Sequence, residues 1–116
     1  MKVKLAQVQR AQQALQKLLS VNFPIKTAFK LSRMIKPFNA VLADIEEQRT
    51  KLVKQYGEPV EDGFKVKEDC MSVFQQELFE FLQEEVDLEV EPISIDLLEG
   101  TSLTSVEVDS LNMFLV

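Results

Sequence analysis

Between Pro24 and Gly57 the chain places apolar residues in alternating steps of three and four: Ala28, Leu31, Ile35, Phe38, Leu42, Ile45, Leu52 and Tyr56, with only Arg49 interrupting the row. Such spacing keeps one face of an α-helix apolar. Pro24 suits a first helical position, and Gly57 suits the residue just past the end. The pattern predicts one long helix. A stripe repeating every 3.5 residues or so for about four heptads calls for a partner helix along its whole length. Leu31, Ile35, Phe38, Leu42, Ile45, Leu52 and Tyr56 are therefore the candidate seam of a homo-oligomer, most simply a dimer across this helix.

Pro37 falls in the middle of the stripe. An interior proline removes a hydrogen bond and crowds the preceding turn, at about 3 kcal/mol. The apolar register continues through it, so a kink is expected, with a break into two helices at Lys36–Pro37 as the alternative. Before the long helix, residues 3–19 carry Leu5, Val8, Ala11, Leu15 and Leu18 on one face and a row of glutamines on the other. Four residues then connect the two helices, a typical length for antiparallel neighbours. The first helix can cover the first half of the long seam only. A third helix or a second copy of the chain must cover the rest.

Beyond Gly57, Asp62-Gly63 ahead of the alternating Phe64-Lys65-Val66-Lys67 signals a short strand, while Pro59 weakens the case for a strand before it. Residues 69–85 form a third helix, with Asp69 as its cap and Met71, Phe74, Leu78, Phe81 and Leu82 on its buried face. Residues 86–95 alternate Val86, Leu88 and Val90 with acids, as an edge strand does, and complete a small sheet with residues 64–67. Thr104-Ser-Val-Glu107 is a capping box that opens a last short helix. The expected fold is α+β, mostly α: a helical hairpin with one long kinked helix, a small antiparallel sheet and a short C-terminal helix in a single domain, residues 1–116.

Charge divides the chain. Residues 1–43 hold eight basic residues and no acid; residues 44–116 hold the other five and all nineteen acids, for a net charge of −6. The basic hairpin thus spans residues 1–57 and an acidic α+β part spans 58–116. With no His and only Cys70 for a thiol, the common nucleophile–base pairs, cysteine metal clusters and an intramolecular disulfide are all excluded. Three scattered glycines cannot make a phosphate loop. No catalytic residue, metal site or cofactor is expected. The constellation that could bind something is Lys26, Lys30 and Arg33, with Lys36 nearby. Spacings of four and three put the first three on one face at a helix start, where free backbone amides already favour anions. Charge-assisted hydrogen bonds of about 1.5–3 kcal/mol each could hold a phosphate-bearing ligand there. The acidic remainder would repel duplex nucleic acid. No apolar run is long enough to span a membrane and no leader pattern is visible, so a cytoplasmic protein without membrane contact is expected.

Several stretches together resemble a group of small, largely uncharacterised proteins encoded by tailed bacteriophages and prophages. They are Gln13-Ala-Leu-Gln-Lys-Leu-Leu19, Phe23-Pro-Ile-Lys-Thr-Ala-Phe-Lys-Leu31, Glu47-Gln-Arg-Thr-Lys-Leu-Val-Lys-Gln-Tyr-Gly57, Glu77–Leu82, Val86–Leu98 and Leu103–Leu115. Pro37 departs from the uninterrupted helix of that group. The resemblance implies a phage origin, hence action in a bacterial host cytoplasm or in a virion, and it implies no enzymatic activity. Two functions follow as expectations. One is a non-catalytic accessory protein that antagonises host defence, either by sequestering an anionic nucleotide signal at the basic face or by blocking a host protein. The other is a virion or assembly protein whose divided charge drives self-association.

Overall fold

A computed structural model describes the whole chain, Met1–Val116. Strand β1 (Lys2–Lys4) leads directly into helix α1 (Leu5–Leu19), and α2 (Ile25–Tyr56) runs back beside it for 32 residues. Strands β2 (Gly57–Val60) and β3 (Gly63–Val66) follow as a hairpin, then helix α3 (Met71–Leu82), strand β4 (Glu85–Asp87) and helix α4 (Ser105–Ser110). Short 3-10 turns precede α3 and flank α4. The α+β, mostly α reading holds, with a helical hairpin and a short C-terminal helix. The long helix passes through Pro37 as one element, not two.

The sheet differs from expectation. There are two separate antiparallel ladders, β1 with β4 and β2 with β3. Residues 85–87 therefore pair with the first residues of the chain, Val3 opposite Val86, and not with residues 64–67. Val3 lies in the middle of β1 instead of opening the first helix, which begins at Leu5. Pro59 does pair, opposite Phe64. The ladder has only two strands, so both are edges, where a missing N–H costs little. Asp69 does not cap α3: its residues 68–70 form a 3-10 turn with no side-chain cap. The capping box at Thr104 is present in both directions, with the Glu107 carboxylate accepting from the Thr104 backbone N–H at 3.0 Å and the Thr104 hydroxyl accepting from the Glu107 N–H at 3.2 Å. The Thr104 amide, together with Lys17, whose ammonium lies 3.0 Å away, holds the Glu107 carboxyl below the usual carboxylate range.

The core sits at one end. Val8, Ala11, Leu15 and Leu18 of α1 close on Leu31, Met34 and Phe38 of α2, and Leu88, Ile93, Leu98, Leu111 and Phe114 from the C-terminal segment complete the cluster. Arg10–Asp109 and Lys17–Glu107 ion pairs fasten α4 along α1. The second half of α2 extends beyond this head as an arm, covered by the β2–β3 hairpin and by α3. Ile45 and Phe74 are the buried apolar residues there. The radius of gyration of 16.9 Å and extents of 50 × 30 × 24 Å record that elongation; a compact domain of this length would have a radius of roughly 13 Å.

The arm carries its own titration signature. The Tyr56 hydroxyl donates to Glu77 at 2.5 Å, which raises the phenol above its ordinary value of 10.0, helped by desolvation. A raised value means that the folded arm prefers the protonated phenol. The linked stability is full below the ordinary phenol value and declines as pH rises through the folded one. Tyr56 is the single tyrosine in a chain without tryptophan, so phenolate absorbance reads it cleanly. Titration should place Tyr56 above 10.0 in the wild type, and Glu77→Ala should bring it back down. A wild-type phenol that ionises at its ordinary value would mean that the Tyr56–Glu77 bond does not form.

Candidate functional site

At 100° per residue, the buried positions Thr27, Leu31, Met34 and Phe38 define one side of the first half of α2. Thr27, not Ala28, begins the stripe; Ala28 is exposed. Diametrically opposite lie Ile25, Phe29 and Lys36, with Lys26 and Arg33 beside them. Ile25 is 85% exposed and Phe29 is 61% exposed. The Arg33 guanidinium sits over the Phe29 ring, 5.7 Å from its centre. At such an exposed site this contact contributes about 0.5–1 kcal/mol; it holds the ring and the cation together as one surface.

None of Lys26, Lys30, Arg33 or Lys36 reaches a carboxylate within ion-pairing distance; the five ion pairs of the chain lie elsewhere. All four side chains are exposed. Lys30 and Arg33 also border a groove of about 490 Å³, whose other side is the extended segment from Asp87 to Ile93. Buried Met34, Leu88 and Ile93 line it. So do Asp87, Glu89 and Glu91. The groove thus brings two of the four cations together with three acids, one of which, Asp87, is paired with the Met1 ammonium at 3.0 Å, while Lys26 and Lys36 lie outside it. A pocket of mixed sign is a poor trap for a polyanion, because its carboxylates repel the ligand that its cations attract.

The seven residues read as an oligomer seam have mostly found partners inside one chain. Leu31, Phe38 and Ile45 are at most 2% exposed, and Ile35, Leu42, Leu52 and Tyr56 are half-buried. The first half faces α1 and the C-terminal segment; the second half faces α3 and the hairpin. The row is therefore largely occupied within the chain and is not a free seam. Ile25 and Phe29 are the residues that a stripe-based reading passes over, although their signal is in the sequence: two large apolar side chains one turn apart, off the buried row, among lysines. Further exposed apolar side chains lie on the arm, with Phe79 64%, Val73 47% and Phe64 46% exposed. No helix is long and apolar enough to cross a membrane. No known family model matches the chain, and comparison with curated proteins and with solved structures finds no match either.

Proposed function

We propose that this chain is a non-catalytic binding protein whose working surface is the outer face of α2 from Ile25 to Lys36, and that it engages an acidic, partly apolar surface of another protein. One observation carries the reading: Ile25 and Phe29 are held 85% and 61% exposed among four cations that form no ion pair within the chain. Leaving large apolar groups in water has no folding benefit, and in company with free cations it marks a contact surface. In the phage setting that the sequence resemblance suggests, such a protein is an accessory factor that blocks a host protein, a component of host defence included. Sequestration of a nucleotide signal has less support, because a small ligand in the groove would meet Asp87, Glu89 and Glu91 along with Lys30 and Arg33, whereas a protein surface also reaches Lys26 and Lys36 beside Ile25 and Phe29, outside the groove.

The test places a photo-cross-linking phenylalanine analogue at position 29 and irradiates bacterial cells that express the chain. An adduct with an acidic protein is expected, and the triple reversal K26E/K30E/R33E should abolish it. No adduct, or one indifferent to the reversal, would overturn the reading.

A further inference from the structure

We infer that the run Glu89–Glu91 is an open strand position, and that it takes an extended peptide of another protein with a basic residue on either side of an apolar one. The chain itself supplies the template. Glu85-Val86-Asp87 and Glu89-Val90-Glu91 are two acid–valine–acid triplets, four residues apart. Both have the same burial: exposed, half-buried, exposed. The first triplet is β4, and its antiparallel partner is Lys2-Val3-Lys4, with Lys2 opposite Asp87, Val3 opposite Val86 and Lys4 opposite Glu85. A base thus stands across from each acid and a valine across from the valine, an arrangement that favours pairing. Lys4 also donates to Gln83 at 3.2 Å. The second triplet has no such partner.

Backbone hydrogen bonds show where the ladder stops. Leu88 donates to the Met1 carbonyl at 2.8 Å, and Ile93 donates to the Phe114 carbonyl at 2.8 Å and accepts from Val116 at 3.0 Å. Between these anchors, Glu89, Val90 and Glu91 form no backbone hydrogen bond, and neither glutamate forms an ion pair. Unpaired N–H and C=O groups on a segment pinned at both ends are what an added strand uses: main-chain bonds hold it and alternate side chains select it. Pro92 has no N–H, so the open run covers three residues, the length of the β1–β4 ladder. The groove of about 490 Å³ beside it gives the peptide room, over buried Met34, Leu88 and Ile93. Charge decides the occupant. Asp87 already holds the Met1 ammonium, which leaves Glu89 and Glu91 as the unmatched acids of the groove. Lys30 and Arg33 on the other wall are donors only, and a strand lying between the run and α2 turns the carbonyls of its outer edge toward them. This chain's own Lys-Val-Lys triplets are engaged already, Lys2–Lys4 with β4, and Lys65–Lys67 with β2 and the end of α2. The occupant therefore comes from another protein.

Nuclear magnetic resonance titration with the capped peptide acetyl-Gly-Lys-Val-Lys-Gly-amide tests this. Saturable shifts of the Glu89, Val90 and Glu91 amides are expected, at peptide concentrations into the millimolar range for so short a ladder. The reversal E89K/E91K should abolish them and should confer binding of acetyl-Gly-Glu-Val-Glu-Gly-amide, which the wild type does not bind. Both residues are exposed, and unchanged circular dichroism confirms that the variant folds. Methylating the peptide nitrogens leaves the charge intact and should weaken binding about fivefold for each main-chain bond lost. No saturable shift at residues 89–91 would overturn the inference. So would equal binding of the methylated peptide or of the rearranged acetyl-Gly-Val-Lys-Lys-Gly-amide, since either reduces the run to a site of charge attraction. Shifts that arise with protein concentration alone and vanish in K65E/K67E would give the position to a second copy of this chain, and would overturn it as well. Glu89 and Glu91 lie off the outer face of α2, so E89K/E91K should leave the adduct from position 29 in place. Either proposal can therefore fail without the other.

Discussion

Replacing Phe38 with alanine should lower stability by about 3–5 kcal/mol, on the order of 15 °C in melting temperature for a domain of this size. Phe38 is fully buried, and its ring meets that of Phe114 edge to face, with centres 4.8 Å apart and planes at 67°. It touches the point where three parts of the chain converge. Helix α2 supplies Phe38 itself, α1 supplies the opposing leucines, and the C-terminal segment supplies Phe114. Phe114 is tied in turn to Ile93, whose N–H donates to the Phe114 carbonyl at 2.8 Å. The truncation therefore empties a cavity and loosens the segment from Ile93 to Val116 from the hairpin. A natural domain has about 5–15 kcal/mol in total, so this single change removes a large share. Thermal unfolding followed by circular dichroism measures it, with Phe29→Ala as the control. Phe29 is 61% exposed, and its loss should change stability by no more than about 0.5 kcal/mol. Equal effects at the two phenylalanines would mean that the core does not close around Phe38. A double-mutant cycle with Phe114→Ala should show a coupling of about 0.5–1.5 kcal/mol for the ring pair.

The contrast between Phe38 and Phe29 marks what the sequence discloses and what it hides. Both are phenylalanines on one helix, and periodicity alone places Phe38 inside. The long helix was legible because the apolar steps persist through some thirty residues and are bracketed by Pro24 and Gly57. A stripe of period 3.5 on a helix of period 3.6 drifts by about 20° per heptad. A single partner helix would have to wind around it to follow that drift. Here α1 and the C-terminal segment cover the first half and α3 covers the second, so a row read as one seam is shared among several elements of one chain. The same drift moves the start of the buried row from Ala28 to Thr27. Pairing of β1 with β4 was hidden for a different reason. Three residues carry no readable period, and their partners lie more than eighty positions away. Of the site, the cations were legible as a one-sided cluster. The acids that face Lys30 and Arg33 across the groove were visible only as an alternating strand. What brings them there is the return of the chain along α2 after β4, a tertiary event with no local signal.

Gly57 shows how one residue can serve a role other than the one its type first suggests. A glycine just past a helix commonly supplies a left-handed backbone. Gly57 does not: its φ is −111° and its ψ 177°, an extended conformation open to any residue. Its constraint is space. A Cβ at this position would collide with the Val53 carbonyl oxygen and come within 2.8 Å of the Lys65 carbonyl oxygen. Both are backbone atoms, one in the last turn of α2 and one in β3, so neither can swing aside as a side chain would. Replacing a glycine of permissive backbone with alanine otherwise stabilises by about 0.4–1 kcal/mol, through the unfolded state. Overpacking costs typically about 1–3 kcal/mol. The steric term wins, and Gly57→Ala should destabilise by about 1–2 kcal/mol. The damage should concentrate in the arm, because Gly57 pairs with Val66 and the neighbouring Lys67 N–H donates to the Tyr56 carbonyl at 3.0 Å. Those contacts turn the chain so that α3 can lie back along α2. Loosening them should lower the Tyr56 phenol toward 10.0 by weakening its bond to Glu77, and should speed amide exchange in α3 ahead of α1. Gly63→Ala is the comparison. Gly63 has φ +135° with open space around it, so its cost is backbone strain at the hairpin tip and should leave the Tyr56 titration unchanged. A stabilised Gly57→Ala variant would show that the junction between α2 and the hairpin is looser than this packing requires, and that the arm is held by α3 alone.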